Sequence, residues 1–184
     1  MNNKLKEMIN WALSPNFLLS ENTIETTDIK KLSKISKTKE NEWGSNIIGN
    51  KKWLINLSEE LVFEILKIKG ENPKKIINNK KNKYKFNFET DKFLYKVKTE
   101  KWNSKKNVKE KSLGTIYKYS EVKDIYKKPL KIICIAHLEW ELTYGYIKLF
   151  GDISENKKKI LDLGKELGIE YVKFSDLLED INYK

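Results

Sequence analysis

The sequence contains no arginine, although lysine supplies 37 positive charges against 26 acidic residues. Arginine is the residue that most often reads guanine through paired hydrogen bonds in the major groove, so its absence argues against base readout of that kind. The net charge of +11 nevertheless attracts polyanions. We therefore expect any DNA binding to depend mainly on contacts between lysines and phosphates.

The chain contains one cysteine and one histidine, too few for an internal disulfide or for a structural zinc site. The single cysteine, Cys134, excludes a disulfide within the chain, and one Cys with one His cannot build a structural zinc site. Cys134 lies in the apolar run Ile132–Ala136, which is typical of a strand buried on both faces. We interpret it as a buried strand thiol.

Long apolar runs are also absent, because no stretch approaches the roughly 20 residues that cross a membrane. The first residues, MNNKLKEMINWAL, lack the apolar core of a signal peptide. The chain has no GxGxxG, P-loop or HExxH signature. The sequence therefore predicts a soluble, intracellular protein of a reducing compartment, with no membrane partner.

The length of 184 residues suits one domain with a short extension. Residues 1–14 have the apolar spacing of an amphipathic helix, which would fold back on the domain or, as the less favoured alternative, dock a protein partner. Residues 20–42 are rich in Ser, Thr and Lys, and predict a polar linker with a short helix at Asp28–Ser36. We therefore divide the chain into residues 1–42, a helix and linker, and residues 43–184, the main domain.

Helical and strand periodicities predict an alternation of helices and strands in the main domain. The predicted elements are a helix from an N-cap at Ser58 to Gly70, strands at Tyr84–Glu89 and Lys92–Lys98, a helix at Leu113–Tyr126, a strand at Leu130–Ala136, a short strand at Ile147–Phe150, a helix from Ser154 through Leu167, a strand at Ile169–Phe174 and a short helix at Ser175–Ile181.

The stretch from Phe86 to Trp102, FNFETDKFLYKVKTEKW, combines strand alternation with acidic residues and lysines. Its period of two predicts a β-hairpin whose turn lies near Glu89–Lys92. Carboxylates and a lysine on a hairpin are what a magnesium-dependent phosphodiesterase requires, because carboxylates hold the metal and the lysine helps to position the attacking water.

This stretch resembles the PD-(D/E)XK nuclease superfamily, and most closely a branch found in large DNA viruses that reads roughly P-D-W-E-T-D-x-x-x-Y-E-V-K-T-x-x-W. The resemblance covers roughly residues 43–180 and continues through Leu113-Gly114-Thr115, Tyr117–Val122 and Lys128-Pro129-Leu130. It implies an α/β protein with a restriction-endonuclease-like αβββαβ core, in which a mixed central sheet is flanked by helices. The third strand of that core would lie in the loop after Lys98. The resemblance also implies an association with a virus.

The motif is altered at its metal-binding positions. The Pro-Asp pair of the family falls on Phe86-Asn87, the glutamate of E-V-K falls on Lys96, and Lys98 and the helix glutamate Glu59 remain. A cation near 4 Å from Mg²⁺ costs roughly 4 kcal/mol per unit charge pair at an effective dielectric of about 20. Our main hypothesis is therefore a catalytically inactivated, nuclease-like DNA-binding protein in which Lys96 and Lys98 replace the metal, without metal or cofactor.

Two alternatives remain open at this stage. The chain could be an active Mg²⁺-dependent DNA endonuclease that uses Glu59, Glu89 or Asp91 together with Lys98, or a structural or assembly subunit that keeps only the fold. The resemblance also suggests a homodimer, because many relatives cut as dimers. Candidate DNA-binding lysines lie in the connector Lys74–Lys83 and in the loop 103–112, namely Lys74, Lys75, Lys80, Lys81, Lys83, Lys105 and Lys106.

Overall fold

The protein is built on a mixed, open sheet of five strands, arranged in space in their order along the chain. This computed structural model describes residues 1–14, 29–50, 52–77, 83–102 and 114–183, and only the backbone of residues 29–33. The strands are β1 (Lys74–Lys75), β2 (Phe88–Glu89), β3 (Leu94–Glu100), β4 (Leu130–Ala136) and β5 (Ile169–Lys173). The pairs β1–β2 and β2–β3 are antiparallel, whereas β3–β4 and β4–β5 are parallel.

Helices cover both faces of the sheet, which confirms the predicted α/β class and the mixed sheet flanked by helices. They are α1 (Asn3–Leu13), α2 (Ile29–Ile48), α3 (Trp53–Ile68), α4 (Thr115–Tyr119), α5 (Val122–Tyr126), α6 (His137–Tyr144) and α7 (Glu155–Glu166), with a 3₁₀ turn at Ser175–Leu178. Among the described residues, no helix has both the length and the apolar composition that crossing a bilayer requires.

Strand β4, which lies between β3 and β5, divides the core into two apolar layers. Ile133 and Ile135 point into the layer beneath α1 and α3, whereas Ile132 and Cys134 point into the layer beneath α4, α5 and α6. Successive residues of a strand face opposite sides of the sheet, and helices cover both sides of β4. All four side chains are therefore fully buried. The predicted bounds of this strand and the buried state of the Cys134 thiol are both confirmed.

Residues 29–42 differ from the prediction of a polar linker, whose first part, residues 20–28, lies outside the described residues. A continuous helix, α2, extends through Ile48 and crosses the proposed boundary between residues 42 and 43. Its sequence is too polar to show an apolar stripe, since two of its buried residues are Ser36 and Glu40. The short helix predicted at Asp28–Ser36 forms from Ile29 onward, and tertiary contacts extend it to Ile48, beyond what the sequence pattern predicts.

Helix α1 folds back on the chain's own core, as the favoured interpretation predicted. Its Trp11 is fully buried and contacts Trp43 of α2 and Trp53 of α3, with ring centroids 5.8 Å and 5.6 Å away. We call Trp11, Trp43 and Trp53 the tryptophan cluster. A Cβ atom at Gly44 would overlap the Trp53 ring, so the glycine allows α2 to approach α3 closely.

Glu40 joins the tryptophan cluster to the end of β3. Its Oε1 accepts a hydrogen bond from the Trp11 indole at 3.2 Å and another from the Trp102 backbone N–H at 3.1 Å. Lys101 lies above the Trp53 ring, with its Nζ 5.3 Å from the centroid. These contacts connect α1, α2, α3 and β3 into one packed unit.

Several predicted element bounds are wrong. Helix α3 begins at Trp53 rather than after an N-cap at Ser58, which instead lies inside the helix and donates its hydroxyl to the Leu54 carbonyl at 2.8 Å. The predicted helix at Leu113–Tyr126 is divided into α4 and α5, and the predicted strand at Ile147–Phe150 does not form.

Further differences lie around β1, β2 and β4. Strand β2 covers only Phe88–Glu89 of the predicted strand Tyr84–Glu89. The basic connector contributes β1, and the loop after Lys98, where a third strand was predicted, falls largely on residues 103–113, outside the described residues. Helix α6 begins directly at His137, because Ala136 adopts a positive φ of 58° that turns the chain without a loop.

Candidate functional site

A cleft of about 280 Å³ opens between α3 and the second half of β3. Strand β2 pairs with β3 only as far as Tyr95, whereas β4 pairs with the whole of β3. Within the described residues, one edge of β3 is therefore not covered by a strand from Lys96 onward. The cleft is lined by Ile55, Ser58, Glu59, Lys96, Val97, Lys98 and Thr99, and we call it the lysine cleft.

The side-chain amide of Asn87 contacts the edge of β3 that β2 leaves uncovered. Its Oδ1 accepts a hydrogen bond from the Val97 backbone N–H at 2.8 Å, and its Nδ2 donates to Glu59 Oε1 at 2.5 Å. An ionised aspartate could accept from Val97 but could not donate to Glu59. Asparagine therefore fits this position as a bridge between the backbone of β3 and the carboxylate of α3.

Glu59 is the acidic side chain that lines the cleft, and it is partly buried. Burial raises the pKa of its carboxyl group, while the positive charges of Lys96 and Lys75 act in the opposite direction. The cations therefore favour the carboxylate that burial disfavours.

Lys96 and Lys98 are two residues apart on β3, so both point to the same face of the strand. Burial lowers the pKa of Lys96, and the charges of Lys118 and Lys85 lower it further, against the attraction of Glu59. Burial also lowers the pKa of Lys98, to about 8, with help from Lys118 and Lys96. Four lysine side chains thus share one region of the surface, and the pKa values of two of them, Lys96 and Lys98, are lowered.

Lys98 is held by the start of α4. Its Nζ donates a hydrogen bond to the Thr115 hydroxyl, and Thr115 is buried at the first position of the helix. Lys118 follows three residues later on the same helix and is exposed. Helix α4 therefore supplies both the partner that orients Lys98 and a further cation.

The structure brings together Glu59, Asn87, Lys96 and Lys98, the four positions that the altered motif had singled out. The other two candidate acids do not line the cleft. Glu89 forms an ion pair with Lys128 at 3.1 Å, and Asp91 is exposed in the turn between β2 and β3.

The candidate DNA-binding lysines are only partly described. Lys74 and Lys75 form β1 and are exposed, and Lys83 pairs with Glu121 on the surface. Lys80, Lys81, Lys105 and Lys106 lie outside the described residues.

Sequence analysis missed three residues of this region, Lys85, Thr115 and Lys118. Thr115 lies in the Leu-Gly-Thr segment that carries part of the resemblance, and that signal could have singled it out. Lys85 and Lys118 have no signal of their own, since lysines are abundant throughout the chain.

The donor set of the cleft does not fit Mg²⁺, which prefers several carboxylate or water oxygens in an octahedral arrangement. Among the described residues, Glu59 is the one carboxylate that lines the cleft; Asn87 already uses its carbonyl oxygen, and Lys96 adds a positive charge. The described residues likewise contain no group of three or more His, Cys, Asp or Glu side chains that could hold a metal ion.

Comparisons of this chain with protein-family models, with curated proteins and with solved structures give no match.

Proposed function

We propose that this protein is an inactivated relative of the PD-(D/E)XK nucleases that binds DNA without hydrolysing it, with the ammonium of Lys96 in place of a metal ion. The order of elements supports the assignment: α3 is followed by three antiparallel strands, then by α4 and α5, and then by the parallel strand β4. The resemblance to the branch of large DNA viruses belongs to the same proposal.

The observation that carries the proposal is the contact of Asn87 with Glu59 beside Lys96. A hydrolytic site would need a second carboxylate at Asn87, where the amide instead donates to Glu59. The positive charge of Lys96 acts on Glu59 in the way that a bound cation would. Glu59 therefore has its partners within the chain and does not need a metal to balance its charge.

The charge of the cleft supports a polyanion as its ligand. Burial lowers the pKa values of Lys96 and Lys98, and repulsion lowers them further: Lys118 and Lys85 act on Lys96, and Lys118 and Lys96 act on Lys98. A phosphate group placed among them would relieve that repulsion and release counterions from the DNA. Phosphate contacts of this kind bind the backbone without reading its sequence.

Binding can be tested by fluorescence anisotropy of a labelled DNA duplex at increasing salt. The double variant Lys96→Ala, Lys118→Ala removes two charges at the cleft, and the control Lys158→Ala, Lys159→Ala removes two exposed charges from α7. If two phosphate contacts are lost, the slope of log K against log salt should become shallower by about two for the cleft variant. The control should keep a slope near that of the wild type.

An equal effect of both double variants would overturn the cleft as the binding site, because net charge alone would then explain it. Absence of any salt-dependent affinity in the wild type would overturn DNA binding itself. That outcome would favour a structural or assembly role for the fold.

Loss of hydrolysis can be tested by plasmid cleavage in Mg²⁺ or Mn²⁺. The wild type is expected to leave the plasmid intact, and the double variant Asn87→Asp, Lys96→Glu is expected to gain metal-dependent cutting, because it restores two carboxylates beside Glu59. Metal-dependent cutting by the wild type would contradict the proposal. It would instead support the alternative in which Glu59, Glu89 or Asp91 acts with Lys98.

A further inference from the structure

The lysine cleft contains an amine in an arrangement suited to covalent chemistry that needs no metal. Lys98 lines the cleft, and its Nζ is oriented by the Thr115 hydroxyl. Burial and the neighbouring charges of Lys118 and Lys96 lower the pKa of Lys98 to about 8, so an appreciable fraction of the amine is neutral near physiological pH. A lysine desolvated beside other cations is a typical nucleophile towards carbonyl carbon.

The surroundings of Lys98 indicate which carbonyl compound could reach it. Lys96, Lys118 and Lys85 favour a phosphate-bearing ligand, as the proposed DNA binding requires. An amine forms an imine with an aldehyde or a ketone, and an intact DNA strand carries neither. A nucleotide that has lost its base can open to an aldehyde, so within DNA the amine of Lys98 suits a sugar-phosphate that carries no base.

We propose that Lys98 forms a Schiff base with the aldehyde of an abasic site in DNA and that the chain cleaves the strand there by β-elimination. This inference rests on the proposed DNA binding and names the lesion that the same cleft would process. An abasic deoxyribose in its open form has an aldehyde at C1′, flanked by phosphates on both sides.

The chemistry balances without an oxidant or a metal. The neutral Lys98 amine attacks C1′, and the resulting carbinolamine loses water to give a protonated imine. Removal of a proton from C2′ then expels the 3′-phosphate by breaking the bond between C3′ and its oxygen. One water molecule hydrolyses the imine, which regenerates Lys98 and leaves an unsaturated aldehyde on one fragment and a 5′-phosphate on the other.

We assign removal of the C2′ proton to Glu59, because among the described residues it is the carboxylate that lines the same cleft as Lys98. Burial raises the pKa of its carboxyl group, which makes the carboxylate a stronger base. Its contact with Asn87 uses one oxygen, Oε1. The second oxygen is the one that we assign to proton transfer.

The test is reductive trapping. The full chain is incubated with a labelled duplex that contains one abasic site, sodium borohydride is added, and the covalent adduct is quantified on a denaturing gel. With protein in enough excess to saturate the duplex for every variant, Lys98→Arg should lower the adduct at least about tenfold, because it removes the nucleophilic amine and keeps the positive charge. The matched control Lys158→Arg, at an exposed position of α7, should give the adduct of the wild type.

Strand cleavage without borohydride separates the second step from the first. Glu59→Gln keeps an oxygen that can accept from Asn87 but removes the base, so cleavage should fall by at least about tenfold and by more than the trapped adduct does. An equal loss of both would overturn the role of Glu59.

The outcomes distinguish this inference from the proposed function. If the wild type binds the duplex with the expected salt dependence but Lys98→Arg gives as much adduct as the wild type, surface lysines form the adduct and the role of Lys98 is overturned. If binding occurs and no adduct forms, the amine chemistry fails and DNA binding stands. If the duplex does not bind, both fail.

Discussion

Two glutamates on neighbouring helices are held in opposite ways. Glu40 of α2 is 1% exposed, and neutral N–H groups of Trp11 and Trp102 donate to it at the tryptophan cluster. Glu59 of α3 lies in the open lysine cleft, where an amide donates to it and cations surround it. The first arrangement closes a packed interior, whereas the second remains open to a ligand.

The difference shows how the same side chain serves two purposes. At Glu40 the hydrogen bonds connect helices and a strand, so their loss should be measured mainly in stability. At the lysine cleft, burial and mutual repulsion lower the pKa values of Lys96 and Lys98, so the folded state carries an electrostatic cost there. This charge arrangement lowers the stability of the free protein, and a bound anion would offset that cost. We therefore attribute the arrangement to binding rather than to folding.

The largest expected effect is that of Glu40→Ala. Removing the carboxylate leaves the buried Trp11 indole N–H and the Trp102 N–H without this acceptor, and the free energy of unfolding should fall by about 2–4 kcal/mol. Urea denaturation measures the loss. Glu60→Ala is the control, because Glu60 is exposed and its ion pair with Lys4 should contribute less than about 1 kcal/mol. Equal losses for the two variants would mean that Glu40 is not a structural centre.

The next effect concerns the approach of α2 to α3. Gly44→Ala places a methyl group where the buried Trp53 ring lies, and overpacking of this kind should lower stability by about 1–3 kcal/mol. Gly114→Ala is the matched control, since a Cβ atom there meets no other atom within 4 Å. Thermal unfolding of both variants gives the comparison. A Gly44→Ala protein as stable as the control would contradict the close packing of α2.

A smaller effect is expected at Lys98, and it depends on pH. The pKa of Lys98 is lowered to about 8 by burial first and then by Lys118 on α4 and Lys96 on β3, against the opposing influence of Cys134 on β4. The unfolded chain therefore binds more protons between pH 8 and 10.5, and stability should rise with pH across that window. The Lys98→Met variant should lack this rise. Its free energy of unfolding should exceed that of the wild type near neutral pH, and the difference should shrink as pH increases.

Denaturant midpoints at pH 7.5, 9 and 10 for both proteins would show this convergence. Parallel curves would mean that Lys98 is not desolvated in the folded state. Lys158→Met, at an exposed position, provides the reference for loss of a surface lysine.

The smallest effect is that of Glu59→Gln. Burial raises the pKa of Glu59 above 4.5, so the protonated form is favoured by folding and its contribution is lost as pH rises through the folded pKa. The variant, which stays neutral, should gain stability relative to the wild type from pH 4 to pH 6. The gain is limited because Lys96 and Lys75 favour the carboxylate. A relative gain as pH falls would reverse the assigned cause of the shift.

The sequence predicted the parts of the fold whose signal is local. Strand β4 has the predicted bounds because a run of apolar residues between Pro129 and His137 can be buried on both faces. Helix α2 was predicted only as a short helix at Asp28–Ser36 within a linker, because its burial depends on contacts with α1 and α3 that no local pattern reveals. Ser58 was taken for an N-cap because serine before acidic residues is a common start signal, whereas burial of Trp53 places the start five residues earlier.

The candidate site was predicted in the same uneven manner. The motif positions Glu59, Asn87, Lys96 and Lys98 do come together, because the hairpin alternation and one helical residue were enough to place them. The ion pair between Glu89 and Lys128 and the hydrogen bond from Lys98 to Thr115 join residues that are 39 and 17 positions apart in the sequence. Such pairings are decided by the folded backbone and not by spacing.

The continuity of α2 has a practical consequence for protein production. A fragment that starts at Trp43, where the sequence suggests a boundary, would cut this helix and omit Trp11 and Glu40. The face of Trp53 and the end of β3 would then meet water, and such a fragment should aggregate on expression. Fragments intended for crystallisation or for binding assays should therefore keep α1 and α2 together with the sheet.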